Sequence, residues 1–243
     1  MPRMLDPYPT ARPFVPDGAT LSQLASAVQR CRGCPLHERA TQAVFGAGAA
    51  RARVVLVGEQ PGDREDLEGA PFVGPAGRLL DEALEEAGIA RDDAYVTNAV
   101  KHFKWEPRGK KRIHQKPRAR EVDACRPWLE AELTRIRPHA IVALGATAAQ
   151  SFLGASFRIT KQRGVILVTP YAPILLATYH PAAVLRAPDS GARARMRSEF
   201  VGDLAMVAAR LARIPSVPPP TDEPRTTPRK RSRVGDRIRA RRP

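Results

Sequence analysis

The stretch GKKRIHQKP, Gly109 to Pro117, sets a single histidine among four cations, Lys110, Lys111, Arg112 and Lys116. Two chemistries fit it. Basic loops commonly hold nucleic-acid phosphates, which would make His114 incidental. A neutral imidazole is also a competent nucleophile near pH 7, which would make His114 the reactive group and the cations the means of placing it. A second reactive set is the cysteines. Cys31 and Cys34 form a CRGC pair, and Cys125 is the only other cysteine. An odd count argues against a disulfide framework. The CxxC spacing brings two thiolates within reach of one metal centre, to which Cys125 can add a third. Four ligands are usual for zinc or an iron–sulfur cluster. His102, in NAVKHFK, and His37, in CPLHER, are both candidates for the fourth. One CxxC beside an unrelated buried cysteine fits the same spacing.

Elements must position these groups, and the apolar pattern says which. RVVLVGEQPG reads as a buried strand running into a Gly/Pro loop, and AYVTNAV, AIVALG and ILLATYH read as three more strands. Between them lie helical patterns: AGRLLDEALEEAGI, with Leu79, Leu80, Ala83, Leu84 and Ala87 on one face, then REVDACRPWLEAELTRI and ATAAQSFLG, which Gly154 ends. RARMRSEFVGDLAMVAARLARI closes the series. Strands alternating with helices predict an α/β fold of three α/β/α layers around a central, mainly parallel four-stranded sheet. Ligands of such sheets sit at the carboxyl ends of the strands. The polar clusters GEQPGD, TNAVKH and YHPAA all fall there, which is itself a prediction of the site.

Bulk charge names the class of partner. The net charge of +15 and a pI near 10.7 favour a polyanion such as nucleic acid. From Pro215 onward nine Lys or Arg face three Asp or Glu, so about +9 of the +15 lies in the rest of the chain. The expected organisation is an extended, proline-rich lead-in over 1–20, one domain over 21–214, and a disordered basic Pro/Arg-rich tail over 215–243. No apolar run approaches the roughly 20 residues of a membrane span, and MPRMLDPYPT has no signal-type apolar region. A soluble, cytoplasmic monomer is expected.

Taken together, CRGCPL, GEQPGDREDLEGAPFVGPAGRLLDEAL, YVTNAVKHFK, ACRPWLEAEL, ALGATAA and ATYHPAAVLR resemble the iron–sulfur uracil-DNA glycosylases of the family 4 type, from about Leu21 to Leu211. The KKRIHQ segment is similar to the defining KRRIH loop of the UdgX branch, whose members become covalently attached to the uracil-containing DNA they attack. Lys111 stands where that motif has Arg, which keeps the charge but loses a guanidinium fork.

The resemblance implies a uracil-DNA glycosylase of the same fold, acting on single- or double-stranded DNA and crosslinked to the abasic C1′ through His114. A conventional turnover glycosylase and a non-catalytic iron–sulfur DNA-binding module are the alternatives. It implies that Phe72 stacks on the flipped uracil, that Asn98 reads its edge, and that Gln60 and Asp63 help hold it. His180 would face uracil O2, Glu59 would orient water or accept the imidazole proton, and Arg112 would position the loop or a phosphate. Lys110, Lys111, Lys116 and Arg186 would join Arg112 on DNA. Cys31, Cys34, His102 and Cys125 would hold a [4Fe-4S] cluster, with His102 where family 4 enzymes have their third cysteine.

Overall fold

The computed structural model describes residues 10–215. The strands are β1 (Ala47–Gly48), β2 (Val54–Gly58), β3 (Ala94–Asn98), β4 (Trp105–Arg108), β5 (Lys111–His114), β6 (Ala140–Leu144), β7 (Ile166–Thr169) and β8 (Ala172–Thr178). The helices are α1 (Leu21–Val28), α2 (Asp63–Glu68), α3 (Pro75–Glu86), α4 (Ala119–Ile136), α5 (Ala146–Leu153), α6 (Ile159–Gln162), α7 (Pro181–Leu185) and α8 (Ser190–Leu211).

Six strands form one sheet in the order β1-β3-β2-β6-β8-β7, with β3, β2, β6 and β8 mutually parallel. These four are the strands expected from the sequence. Every residue of β2, β3 and β6 is buried, as parallel strands covered on both faces must be. Alternate side chains feed two cores. Val55, Val57 and Ile141 pack with Leu24, Val28, Trp128 and Leu133 of α1 and α4. Val54, Leu56 and Val142 pack with Leu80 and Leu84 of α3 and with Phe200, Leu204 and Val207 of α8. The spacing of three and four residues along those helices is what lets one face of each bury.

The expectation of four strands is corrected to six by two antiparallel edges, β1 and β7. β1 is two residues long and β7 is only partly buried, so neither carries a pattern that reads as a strand. The basic loop is also corrected. GKKRIHQKP is half of an antiparallel hairpin in which β4 pairs β5, with Trp105 opposite His114 and Pro107 opposite Arg112. Its turn holds Gly109 at φ 59°.

The described part of the lead-in is less extended than expected. A short 3-10 turn spans Arg12–Phe14, and Ala11 is buried with its N–H donating to Ala124 O. Residues 1–9 and the tail beyond Pro215 lie outside the described residues. Among those described, no helix is long and apolar enough to cross a membrane.

Candidate active site

Because β2, β3, β6 and β8 run parallel, their carboxyl ends open on one side of the sheet. There Gly58 leads to Glu59 and Gln60, Asn98 ends β3, Leu144 leads through Gly145 to Thr147, and Thr178 leads to Tyr179 and His180. Together with Phe72, His114, Lys116 and Arg186 they line a cavity of about 440 Å³. Four separate strand ends thus converge on one space.

Close approach explains two glycines. A Cβ on Gly58 would run into Asn98 Oδ1 and the Phe72 ring, and a Cβ on Gly77 would strike the Phe72 backbone. Phe72 itself sits at φ 56°, a conformation costly for a bulky residue and found where a fold over-determines it. Its ring stacks on His180, with centroids 6.1 Å apart and 24° between planes. Partly buried, Phe72 packs against the core of α3 and α8 and also presents its ring to the cavity. Asn98 is 3% exposed, and among the described residues its side-chain amide has no hydrogen-bond partner, so it is available to a ligand.

His180 has a fixed tautomer. The Ala182 backbone N–H donates to its Nδ1 at 3.1 Å, so the neutral ring carries its proton on Nε2. Burial pushes its pKa down to about 4, with Arg186 and His114 helping and Glu59 opposing. Near neutrality it is an uncharged donor in the wall of a pocket.

Glu59 joins the cavity to the hairpin. His114 Nε2 lies 3.3 Å from Glu59 Oε1, while Thr147 Oγ1 donates to Glu59 Oε2. Burial raises the Glu59 pKa, but the hydrogen bonds from His114 and Thr147 and the nearby charges of His114 and His180 outweigh it, so the carboxyl is held below its usual range. Thr147 carried no expectation, although it sits three residues past the end of β6 and the strand-end rule would have found it. Thr147→Val removes one of the donors that lower Glu59, so its carboxyl should titrate at higher pH. The acid limb of the rate–pH profile of any reaction needing ionised Glu59 should then move to higher pH, which single-turnover rates across pH would measure.

The hairpin is held at two points. Arg112 turns into the protein: Nε donates to Asp63 Oδ1 at 2.6 Å, one terminal nitrogen to Asp66 Oδ2 at 2.6 Å and Thr41 Oγ1 at 3.1 Å, and the other to Asp63 O at 3.2 Å. Its guanidinium also lies 5.5 Å from the Phe103 and Trp105 ring centroids. Asp66 is fully buried, and removing one partner of such a pair costs about 3–5 kcal/mol. Gln60 fixes the base of the hairpin. Its Nε2 donates to Lys104 O and Gln115 O, and its Oε1 accepts from Lys104 N.

These contacts bear on three of the expected roles. The Arg112 guanidinium is committed to acidic partners, Asp63 meets Arg112 and is not part of the cavity lining, and the Gln60 amide holds backbone. All three set where His114 stands. Arg112 and His114 lie two residues apart on one face of β5, while exposed Lys111 and Ile113 face away. Lys110 and Lys111 are exposed on the hairpin, while Lys116 and Arg186 stand at the cavity.

The cysteines meet elsewhere. Cys31, Cys34, Cys125 and His102 are all buried. Burial pushes the Cys34 thiol up to about 11 and Cys125 to about 12, and each is raised further by the neighbouring cysteines. Burial also pushes His102 down to about 4, aided by His37, which leaves a neutral imidazole able to act as a ligand. Trp128 Nε1–H and Gly33 N–H are aimed at Cys31 Sγ at 3.2 and 3.5 Å, and Lys101 N–H at Cys125 Sγ at 3.3 Å. Thiols are weak acceptors, whereas N–H donors aimed at sulfur tune thiolates bound to metal. The donor set fits a thiolate-held group. Among the described residues no three His, Cys, Asp or Glu side chains gather closely enough for a single ion. A cluster spreads its ligands over several irons and needs no such gathering. His37 puts Nδ1 2.6 Å from Cys34 O and its ring 6.4 Å from that of His102, beside the set.

Comparison with known proteins agrees with the geometry. Residues 45–205 match the family described as the uracil DNA glycosylase superfamily. A type-4 uracil-DNA glycosylase of Pyrobaculum aerophilum is 38% identical over 76% of this chain and 92% of its own. One from Thermotoga maritima is 42% identical over 65% and 80%. Another, from Archaeoglobus fulgidus, is 36% identical over 77% and 92%.

Proposed function

The chain belongs to the uracil-DNA glycosylase superfamily and is a uracil-DNA glycosylase in its chemistry, and on that premise we propose that it acts once, leaving His114 bonded to the abasic C1′ in the manner of the UdgX branch. The observation that carries this reading is the placement of His114, 3.3 Å from Glu59 at the edge of the base cavity, on a hairpin pinned by Arg112 and Gln60.

The reaction runs as follows. The target nucleotide leaves the stack and enters the cavity, where its base lies against Phe72 with its pyrimidine edge toward Asn98. An Asn amide can accept from uracil N3–H and donate to O4, a pattern cytosine reverses. As the C1′–N1 bond breaks, negative charge builds on uracil and oxocarbenium character on the sugar. The neutral His180 donates to the leaving base, and ionised Glu59 faces the cation. An imidazole nitrogen of His114 bonds to C1′, uracil departs with the electron pair of the broken bond, and the imidazole proton passes to Glu59. A held nucleophile can exceed bulk water in effective concentration by many orders of magnitude.

A turnover reaction in which Glu59 activates water fits the type-4 relatives equally well, and the two readings differ in the fate of the enzyme. Denaturing electrophoresis after mixing with a uracil-containing oligonucleotide separates them. A shifted band that survives heat and SDS, at no more than one per protein, is expected. Free abasic product in excess over protein would overturn the reading.

The same reading gives Cys31, Cys34, His102 and Cys125 a [4Fe-4S] cluster. Bound there, a cluster would brace the segment before η-turn Pro35–Glu38 against α4 and the end of β3, and would supply a group suited to electron transfer. Cys125→Ser should reduce the visible charge-transfer absorbance and the iron content together. Unchanged iron and absorbance would remove Cys125 from the ligand set. The exposed Lys110 and Lys111, with Lys116 and Arg186, are assigned to DNA phosphates. We read the protein as a cytoplasmic monomer of one domain over 21–214.

A further inference from the structure

Beneath the base cavity lies an ion pair that the excision chemistry does not use. Lys101 Nζ and Glu132 Oε2 are 2.5 Å apart, and both side chains are 0% exposed. The ammonium has three protons and three acceptors: Glu132 Oε2, Thr97 Oγ1 at 2.7 Å and the Asn98 carbonyl at 2.9 Å. Glu132 Oε1 in turn accepts from Tyr95 OH at 3.0 Å, Thr97 Oγ1 at 3.0 Å and Gly46 N at 3.1 Å. A Cβ on Gly46 would overlap Tyr95 and Glu132, so the segment beside β1 comes close to admit this arrangement.

Two buried charges are a poor way to gain stability, because apolar side chains of similar volume commonly pack as well. The question is what their geometry fixes. Asn98 is the last residue of β3 in register with β2, opposite Gly58. The chain then leaves the ladder, with Ala99 N donating to Gly58 O and Val100 N to Glu59 O. The Asn98 carbonyl is met there by Lys101 Nζ. One ammonium thus clamps the residue that faces the base and the turn that carries the backbone against Glu59. The Asn98 amide has no protein partner of its own among the described residues, so its position rests on its backbone.

We infer that Lys101 and Glu132 are positioning residues for base reading, holding the end of β3 so that the Asn98 amide meets uracil in the productive place. The inference rests on the uracil-excision reading above. A displacement of about 1 Å can cost about 100-fold in rate, so a loosened Asn98 should show in the rate of base release rather than in DNA affinity.

The test is Lys101→Met combined with Glu132→Gln, which removes both charges and keeps acceptors for Tyr95, Thr97 and Gly46. Uracil release is measured under single-turnover conditions, with DNA affinity taken from duplexes carrying a non-cleavable uracil nucleotide and folding from thermal unfolding. The expected result is release slowed about 10- to 100-fold at unchanged affinity and near-normal unfolding. In an Asn98→Ala background the same two changes should add nothing further, because residues that act through one another are non-additive. A wild-type rate, or an equal loss in the Asn98→Ala background, would overturn the inference. Should the double variant fail to fold, Thr97→Val, nearly isosteric and leaving the pair in place, is measured the same way. It should slow release, again with no effect added to Asn98→Ala, and an unaltered rate overturns the inference. Absence of uracil release from the unmodified protein would count against the excision reading itself.

Discussion

His114→Ala is expected to abolish the heat- and SDS-stable DNA adduct and to release free abasic product in its place. Two nucleophiles, the imidazole and water, compete at C1′. Once the glycosidic bond opens, whichever nucleophile stands closest captures the sugar. An imidazole held beside the site has an effective concentration far above that of water, and the hairpin is built to hold it. Arg112 is bonded to Asp63, Asp66 and Thr41, and Gln60 ties the hairpin base through Lys104 and Gln115. Removing the imidazole leaves Glu59, Asn98, Phe72 and His180 in place, so uracil release should continue while capture fails.

Water then takes the open position, oriented by a carboxylate that still has Thr147 as donor. The variant should show product exceeding enzyme, where the unmodified protein stops at one equivalent. An adduct that persists in His114→Ala would place the bond on another side chain. Uracil release lost together with the adduct would make His114 part of bond cleavage rather than of capture.

How much of this was legible in the sequence depends on what each feature rests upon. The four parallel strands were legible because their runs are mostly apolar, VVLVG and AIVAL at every position, as strands covered on both faces tend to be. Their polar ends then pointed to the clusters GEQPGD, TNAVKH and YHPAA as one site, and the family resemblance picked Asn98 and His180 out of them. β1 and β7 left no trace, since an edge strand of two residues or of mixed exposure has no pattern to read.

The hairpin was the largest gap. GKKRIHQKP offers charge and a turn, but nothing local says that it pairs with WEPR or that Arg112 points inward. That depends on Asp66, a fully buried carboxylate 46 positions away in the chain. Long-range polar contacts of this kind are chosen by the tertiary fold. For the same reason the hold of Gln60 and Asp63 on the hairpin, and the buried Lys101–Glu132 pair, leave no local sign in the sequence. Local sequence gives residue types at strand ends, and packing decides which of them face the ligand.

His180→Ala should slow uracil release by about 100- to 1000-fold, the usual loss on removing one donor to a developing anion in a closed site. The fixed tautomer makes the argument specific. With Nδ1 accepting from Ala182 N, the neutral ring has a single proton to give, and it is on Nε2. Burial first, with Arg186 and His114, takes the pKa from 6.5 to about 4, so the ring stays neutral through the mildly acidic range. Release by the unmodified protein should therefore show no ionisation of His180 between pH 8 and about 5.

A ring acting instead as a charged acid would give a rate that climbs as pH falls through its ordinary range, and that outcome would overturn the assignment. Stability carries the matching sign. The folded pKa lies below the unfolded one, so this site's share of stability is complete above about pH 6.5 and is lost as pH falls toward 4. His180→Ala should remove that part of the acid sensitivity, which chemical denaturation at several pH values would measure. Because bond breaking precedes capture, the adduct should form more slowly by the same factor as release. A variant that releases uracil slowly but crosslinks at the normal rate would break that order of events.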